Sequence, residues 1–202
     1  MTNETPASVL PGEPAPVRFM NTIWADTAGV HDDLTTPAAL RDWLVTVDHR
    51  YAAAALENPR HDELAEAKLL RDSLRRLAAF STDDPRPAAQ SPVDSVDDAA
   101  AAVNRAITHL PHAQLVMLGG QLHSDRPAPT SPTRIALAEL AHDSIDVLTG
   151  PSASKLRACQ APGCVRYFVR SHPRREWCSE ICGNRARAAR HYRRIRGTSS
   201  RP

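Results

Sequence analysis

Cys159-Gln160-Ala161-Pro162-Gly163-Cys164 and, thirteen residues further on, Cys178-Ser179-Glu180-Ile181-Cys182 contain the only four cysteines of a 202-residue chain. The C-x4-C-x13-C-x3-C spacing gives two close pairs separated by a loop. A tetrahedral zinc ion needs that arrangement, because each pair grips the metal from one side while the intervening segment folds between them. Four thiolates close the coordination sphere and leave no position for a reactive water, so the single ion is structural. Two disulfides are the alternative. They suit a small secreted domain, whereas residues 1–16 are polar and Pro-containing and lack the apolar stretch of a signal peptide. A cytoplasmic protein is therefore expected.

The segment around the cysteines has its own pattern. Gly163 is suited to the positive φ of a tight metal knuckle. Residues 165–170 read as a strand, residues 171–174 as a turn, and Glu176-Trp177 as the start of a return strand. Ser179 opens a helix to about Arg196, ended by Gly197. Cys182 then lies in the first helical turn, where the dipole and unpaired N–H groups favour a thiolate. Knuckle, hairpin and helix together make a treble-clef-like module.

The charge is divided. Residues 150–202 hold 13 Lys or Arg against two acids, while the preceding residues hold 12 against 21. At about 100° per residue, Ile181, Ala188, Tyr192 and Ile195 share one helical stripe, expected to pack on Tyr167, Phe168 and Trp177. Arginines cover the rest, with Ala186 and Ala189 among them to let a partner approach. Arginine forks match phosphates and guanine edges, and Arg185, Arg187, Arg190, Arg193 and Arg194 are the candidate contacts to double-stranded DNA. A solvated face, a clamp on the chain's own acidic region, RNA and an acidic protein partner are the alternatives. The stripe is too short and weakly apolar for a membrane surface.

The run Trp177-Cys178-Ser179-Glu180-Ile181-Cys182-Gly183-Asn184-Arg185 resembles the CGNR zinc finger, named for its Cys-Gly-Asn-Arg tetrad. Arg157-Ala158-Cys159 through Cys164, and residues 188–194, fit the same pattern. In that family the finger follows a domain called ABATE, associated with stress-induced transcription regulation. Phe19-Met20-Asn21-Thr22 resembles that domain's Phe-x-Asn-Thr motif, and Thr36-Pro37-Ala38-Ala39-Leu40-Arg41-Asp42-Trp43-Leu44 its helix start. The resemblance implies a bacterial transcription factor with a C-terminal DNA-binding finger and no catalytic residues. Within the tetrad Cys182 is a metal ligand and Gly183 is expected to bring its N–H to a thiolate. Asn184 is expected to stabilise the helix start or contact a base, and Arg185 to reach phosphate or base.

Hydrophobic residues make up 42% of the chain but aromatics only 4%, which favours helices with thin, close-packed interfaces. Helices are expected at 36–56 (capped by Thr36), 61–80 with Leu64, Leu70, Leu74 and Leu77 inward, 95–110 (capped by Ser95), and 132–148 led by Ile135, Leu137, Leu140, Ile145 and Leu148. Residues 17–24 enter the core, 26–33 and 81–92 are loops, and 114–118 with 121–124 form a hairpin across Gly119-Gly120. No apolar run is long enough to span a membrane. No phosphate-cradling loop, zinc-protease motif or nucleophile elbow is present, and no enzyme is expected. The histidines are scattered, and only His172 and His191 lie in the finger, as candidate phosphate contacts, with His172 a remote alternative ligand. Phe19, Asn21, Trp24, Trp43 and Arg134 are candidates for an effector pocket. Core placement is the stronger reading for the aromatics, with Asn21 bonding buried backbone.

The expected fold class is mainly α with a small β-hairpin (α+β). It comprises a disordered tail (1–16), an ABATE-like helical domain (17–149), a linker (150–154) and a treble-clef-like four-cysteine zinc finger (155–202). The expected function is a zinc-dependent, DNA-binding transcriptional regulator whose N-terminal domain senses an unidentified effector or dimerises. One small finger offers limited interface, so a homodimer or a second contacting element is implied. Loss of Cys182 is expected to unfold the finger and spare the N-terminal helices.

Overall fold

The computed structural model describes residues 10, 12–51, 58–126 and 131–198, with side chains to Ile195. The chain runs through α1 (Ala15–Met20), β1 (Ile23–Ala25), β2 (Val30–Asp32), α2 (Pro37–Val47), α3 (His61–Ser81) and α4 (Val96–Ile107). It continues with β3 (Gln114–Leu118), β4 (Gln121–Asp125), α5 (Pro132–Thr149), β5 (Leu156–Ala158), β6 (Tyr167–Val169) and α6 (Glu180–Thr198). The architecture is mainly helical, with three two-stranded antiparallel ribbons pairing β1 with β2, β3 with β4, and β5 with β6. No helix among the described residues is long and apolar enough to cross a membrane.

Local chemistry sets the helix starts. Thr36 Oγ1 accepts the Ala39 N–H (3.1 Å) ahead of Pro37, Ser95 Oγ accepts that of Asp98 (2.9 Å), and Ser131 Oγ accepts that of Arg134 (3.3 Å). Three boundaries differ from expectation. α2 stops at Val47 because Asp48 turns extended (φ −155°, ψ 134°) and its carboxylate takes the Arg50 N–H (2.9 Å). The rest of the helix expected to Leu56 falls on residues 52–57, outside the described residues. The expected loop 26–33 contains β2, whose His31 ring stacks on Trp24 at 4.3 Å. α6 continues through Gly197 to Thr198.

The core forms around α3, which buries Leu64, Ala67, Leu70, Leu74 and Ala78. Phe19 and Met20 of α1, Leu40, Trp43 and Leu44 of α2, and Leu137 and Leu140 of α5 close over it, with the Phe19 and Trp43 rings 5.0 Å apart. On α5 the expected Leu137 and Leu140 face inward with Leu148 packed beside them, but the buried face extends further than expected. Ala136, Ala141 and Val147 are buried, while Ile145 is exposed.

The cysteine module is part of this core, not a tethered appendage. Leu156, Ala158 and Tyr167 belong to the same buried cluster as the leucines of α3. One edge of β6 pairs with β5, and side chains of the N-terminal region occupy the other. Asn21 Oδ1 accepts the Tyr167 N–H (2.9 Å), and Asn21 Nδ2 donates to the Tyr167 carbonyl (2.8 Å). Glu13 Oε2 accepts the Val169 N–H (2.8 Å). Asn21 thus binds buried backbone, as expected. The expectation of a disordered tail to Pro16 fails for Leu10 and Glu13, both buried, and for α1, which starts at Ala15; residues 1–9 and 11 lie outside the described residues.

Asn21→Leu keeps the bulk but strands two buried backbone groups at about 1–3 kcal/mol each. It is expected to destabilise the metal-loaded protein by about 2–5 kcal/mol, read as a lowered denaturant midpoint with unchanged slope.

A candidate metal centre beside a cationic helix

The four cysteines converge. Their sulfurs all lie within 4.8 Å of one another, and all four side chains are buried. None is disulfide-bonded, which sets aside the disulfide alternative. Cys164 Sγ and Cys182 Sγ lie 3.8 and 3.4 Å from Cys178 Sγ. Metal–sulfur bonds of about 2.3 Å in tetrahedral geometry require sulfurs roughly 3.8 Å apart, so the donor set can hold a metal ion such as zinc. Without one, the thiols share protons. Hydrogen bonds among the four sulfurs draw Cys164 and Cys182 below the usual thiol range and push Cys159 and Cys178 above it. A metal would displace those remaining protons.

Each pair has a structural reason. Gly163 takes φ +72° in the first knuckle, where the Cys164 N–H closes onto the Ala161 carbonyl (2.9 Å). β5 leads into Cys159, and β6 follows Cys164. The hairpin is therefore made by the strands flanking the knuckle. Glu176-Trp177, expected as the return strand, forms none, because β6 already pairs with β5 on one side and with Asn21 and Glu13 on the other. For the second pair, Ser179 Oγ accepts the Cys182 N–H (3.3 Å) at the start of α6. Leu10, Phe168 and Trp177 pack around the sulfurs.

Guanidinium groups surround the centre. Arg86 Nη1 donates to the carbonyls of Cys159 (2.7 Å) and Cys164 (2.8 Å). Its other edge pairs with Asp84 at 2.6 Å through two contacts, and the Tyr167 hydroxyl donates to the same carboxylate (2.8 Å). Burial tends to raise the Asp84 carboxyl, but Arg86 and Tyr167 outweigh it and hold it below the usual range. Burial pushes the Tyr167 phenol up to about 12, which keeps it a donor. Arg175 donates to the carbonyls of Cys178 (2.9 Å), Val169 (3.1 Å) and Trp177 (3.3 Å), and pairs with Glu13 at 2.6 Å. Arg75, buried in α3, donates to Met20, Ala89 and Val165 carbonyls. None of these contacts was legible in the sequence. Arg75 reaches carbonyls 55 and 90 residues away and Arg86 carbonyls 73 and 78 residues away, and Arg86 sits in a stretch that reads only as a Pro-rich loop.

Cys182 takes its expected place among the four sulfurs, whereas Gly183 and Arg185 make contacts other than those expected. The Gly183 N–H bonds the Ser179 carbonyl (3.1 Å), not a thiolate. A Cβ on Gly183 would lie 3.1 Å from the Trp177 ring and 3.3 Å from Arg187 Nη1, so the glycine sits in close contact with the indole and a larger residue would have to move it by a few tenths of an ångström. Asn184 is exposed and accepts from Arg187. Arg185 donates to Cys182 Sγ (3.3 Å) and is directed at the sulfur cluster, not outward. His172 accepts the Arg174 N–H (3.1 Å) and stands apart from the cysteines.

α6 is rotated from its expected setting. Cys182 belongs to the sulfur cluster, and Gly183 and Ala186 are buried beside it on the helix, while Ile181 and Tyr192 are 76% and 67% exposed and Ile195 is half exposed. The alanines that were expected among the arginines are the inner face. Arg187, Arg190 and Arg193 are exposed, Arg190 lies over the Trp177 ring at 5.9 Å, and Arg193 reaches back to the Ala189 carbonyl (3.4 Å). None of these three has a carboxylate partner among the described residues, so they form no clamp on the acidic region. The pocket candidates are not brought together. Phe19 and Trp43 are core, and Trp24 lies on the first ribbon. Arg134, paired to Glu66 and Asp62, lines a depression of about 200 Å³ between α3, α4 and α5.

Arg86→Ala removes the donor to two knuckle carbonyls and leaves Asp84, whose side chain is 1% exposed, as an uncompensated buried charge. The expected cost is about 3–5 kcal/mol of stability and a fall in metal affinity of about 10–100-fold, measured by denaturation and by competition with a chelating dye.

Residues 13–151 match ABATE, described as "Putative stress-induced transcription regulator", and residues 155–195 match the CGNR zinc finger. Both are regulatory or zinc-finger families, and neither is catalytic. No curated protein is similar enough to count as a match. With the first match spanning more than half of its length, the chain belongs to the ABATE family and carries a CGNR zinc finger behind that domain.

Proposed function

We propose that this protein is a zinc-dependent transcriptional regulator that binds double-stranded DNA through the outer face of α6. The zinc is structural, held by Cys159, Cys164, Cys178 and Cys182. The observation that carries the reading is the way α6 is seated. Cys182 anchors the start of the helix in the sulfur cluster and the small residues Gly183 and Ala186 are buried, so Arg187, Arg190 and Arg193 project from a helix held at its base by a metal ligand. Arg194 continues the same cationic end of the helix. Arginine forks on a rigid helix suit phosphates and guanine edges, and phosphate contacts position the helix while base contacts specify. Arg185 supports the Cys182 thiolate and acts on DNA only through the helix it steadies. Exposed Tyr192 offers an aromatic face to thymine methyls or sugars.

The test is binding of the zinc-loaded protein to DNA from its own promoter region and to scrambled DNA of equal length across a salt series. A promoter preference that survives physiological salt is the expected result. Arg187→Gln, Arg190→Gln and Arg193→Gln together should lower the slope of log affinity against log salt by about 2 to 3, at about 0.9 per lost phosphate contact. Equal, salt-labile binding to both DNAs would instead favour RNA or an acidic protein as the partner.

A further inference from the structure

We propose that the β3–β4 ribbon is a dimerisation arm, and that its partner is a second copy of this chain. From 111 to 126 every residue is exposed except Val116. The ribbon is nonetheless well formed, with five residue pairs and a turn at Gly119-Gly120 in which both φ angles are positive (+58° and +79°), the requirement of a tight hairpin turn. An isolated ribbon of two strands is marginal in water, and this one presents apolar side chains where solvent-facing strands carry polar ones.

The register places those side chains on one face. Met117 pairs with Leu122, and Leu115 with Ser124, so Leu115, Met117 and Leu122 lie together; they are 73%, 63% and 63% exposed. At about 100 Å² of apolar surface each, two copies meeting through this face would bury roughly 600 Å². That is about half of the ~1,200 Å² at which specific interfaces begin. The contact therefore belongs to the small, weak class of interfaces, with micromolar affinity expected.

Charge selects the partner. The two strands carry one formal charge, Asp125, so neither a nucleic acid nor a strongly charged protein finds a complement there. Two identical ribbons meet without like-charge repulsion, which the arginine face of α6 could not do. A two-fold axis makes such a contact self-complementary, and the unpaired ribbon edges are templates for a further strand. On the DNA-binding reading above, pairing would also present two fingers to two half-sites, but the surface and its test are independent of DNA.

The test is sedimentation velocity on the zinc-loaded full chain up to about 100 µM, a range that covers the micromolar affinities of small interfaces. The wild type is expected to dimerise. Met117→Lys with Leu122→Glu puts opposite charges on a cross-strand pair, which preserves the ribbon while removing its apolar face. It is expected to weaken dimerisation at least 100-fold with zinc stoichiometry and helicity unchanged. If that double variant loses zinc or helicity, Leu115→Gln replaces it, with about 10-fold weakening expected. Leu118→Gln, on the opposite face, should leave the dimer as it is. A wild type that stays monomeric overturns the proposal and hands the ribbon to another partner. So does a ribbon variant that retains the fold and dimerises as tightly as the wild type. Failure of DNA binding with the dimer intact would count against the DNA reading alone.

Discussion

The guanidinium of Arg86 holds the carbonyls of Cys159 and Cys164 at 2.7 and 2.8 Å, and the shape of the metal-binding half depends on that contact. A knuckle that turns two sulfurs inward leaves its backbone carbonyls facing a buried surface where water cannot satisfy them, and a buried acceptor without a donor is costly. One arginine answers both carbonyls. Asp84 neutralises it, and Tyr167 fixes Asp84 from within β6. The pattern repeats around the site. The Cys178 carbonyl takes Arg175, and the Cys182 sulfur takes Arg185. Four thiolates around one divalent ion leave net negative charge, and each of these guanidinium groups stabilises it as well as completing a hydrogen bond.

This arrangement ties the cysteine cluster to the whole chain. Arg86 and Arg75 come from the N-terminal region, Asn21 and Glu13 cap the outer edge of β6, and Leu10 packs among the sulfurs. Metal binding energy in such a site is folding energy, and here it is shared with the helical core through β5 and β6. The notion that Cys182 can be lost without consequence for the N-terminal helices belongs to a tethered finger. With Leu156, Ala158 and Tyr167 inside the main core, disruption of the knuckle withdraws partners from α1 and α3. Arg75 and Arg86 of the N-terminal region end on the backbone carbonyls of Cys159, Cys164 and Val165, which seat the cysteine cluster at the start of α6.

The sequence was most legible where chemistry is local. Four cysteines at metal spacing, a Ser or Thr ahead of an apolar-periodic run, and Gly119-Gly120 between alternating residues each act over a few positions, and the site, the helix starts and the second ribbon followed from them. Arg86, Arg75, Asn21 and Glu13 act over tens of residues, and no periodicity marks an arginine in a loop as the donor to a distant knuckle. Only Asn21 carried a signal, in the Phe-x-Asn-Thr motif and in the rule that a buried amide must be bonded.

The rotation of α6 has a physical cause of the same kind. A helical wheel assigns the inner face to the bulkiest apolar residues, because a hydrocarbon core rewards buried area. The core beneath the start of α6 is a sulfur cluster, and Cys182 supplies one of its four sulfurs. A helix whose own ligand must reach the metal lies close against the site, where Gly183 and Ala186 fit and Ile181 or Tyr192 would hold it away. The place of Cys182 in the sulfur cluster thus overrides hydrophobic ranking and turns the larger apolar residues outward among the arginines. The exposed strip on α6 and the exposed face of the β3–β4 ribbon therefore differ in origin. The first follows from the position of Cys182, while the second has no constraint inside the described chain that requires it.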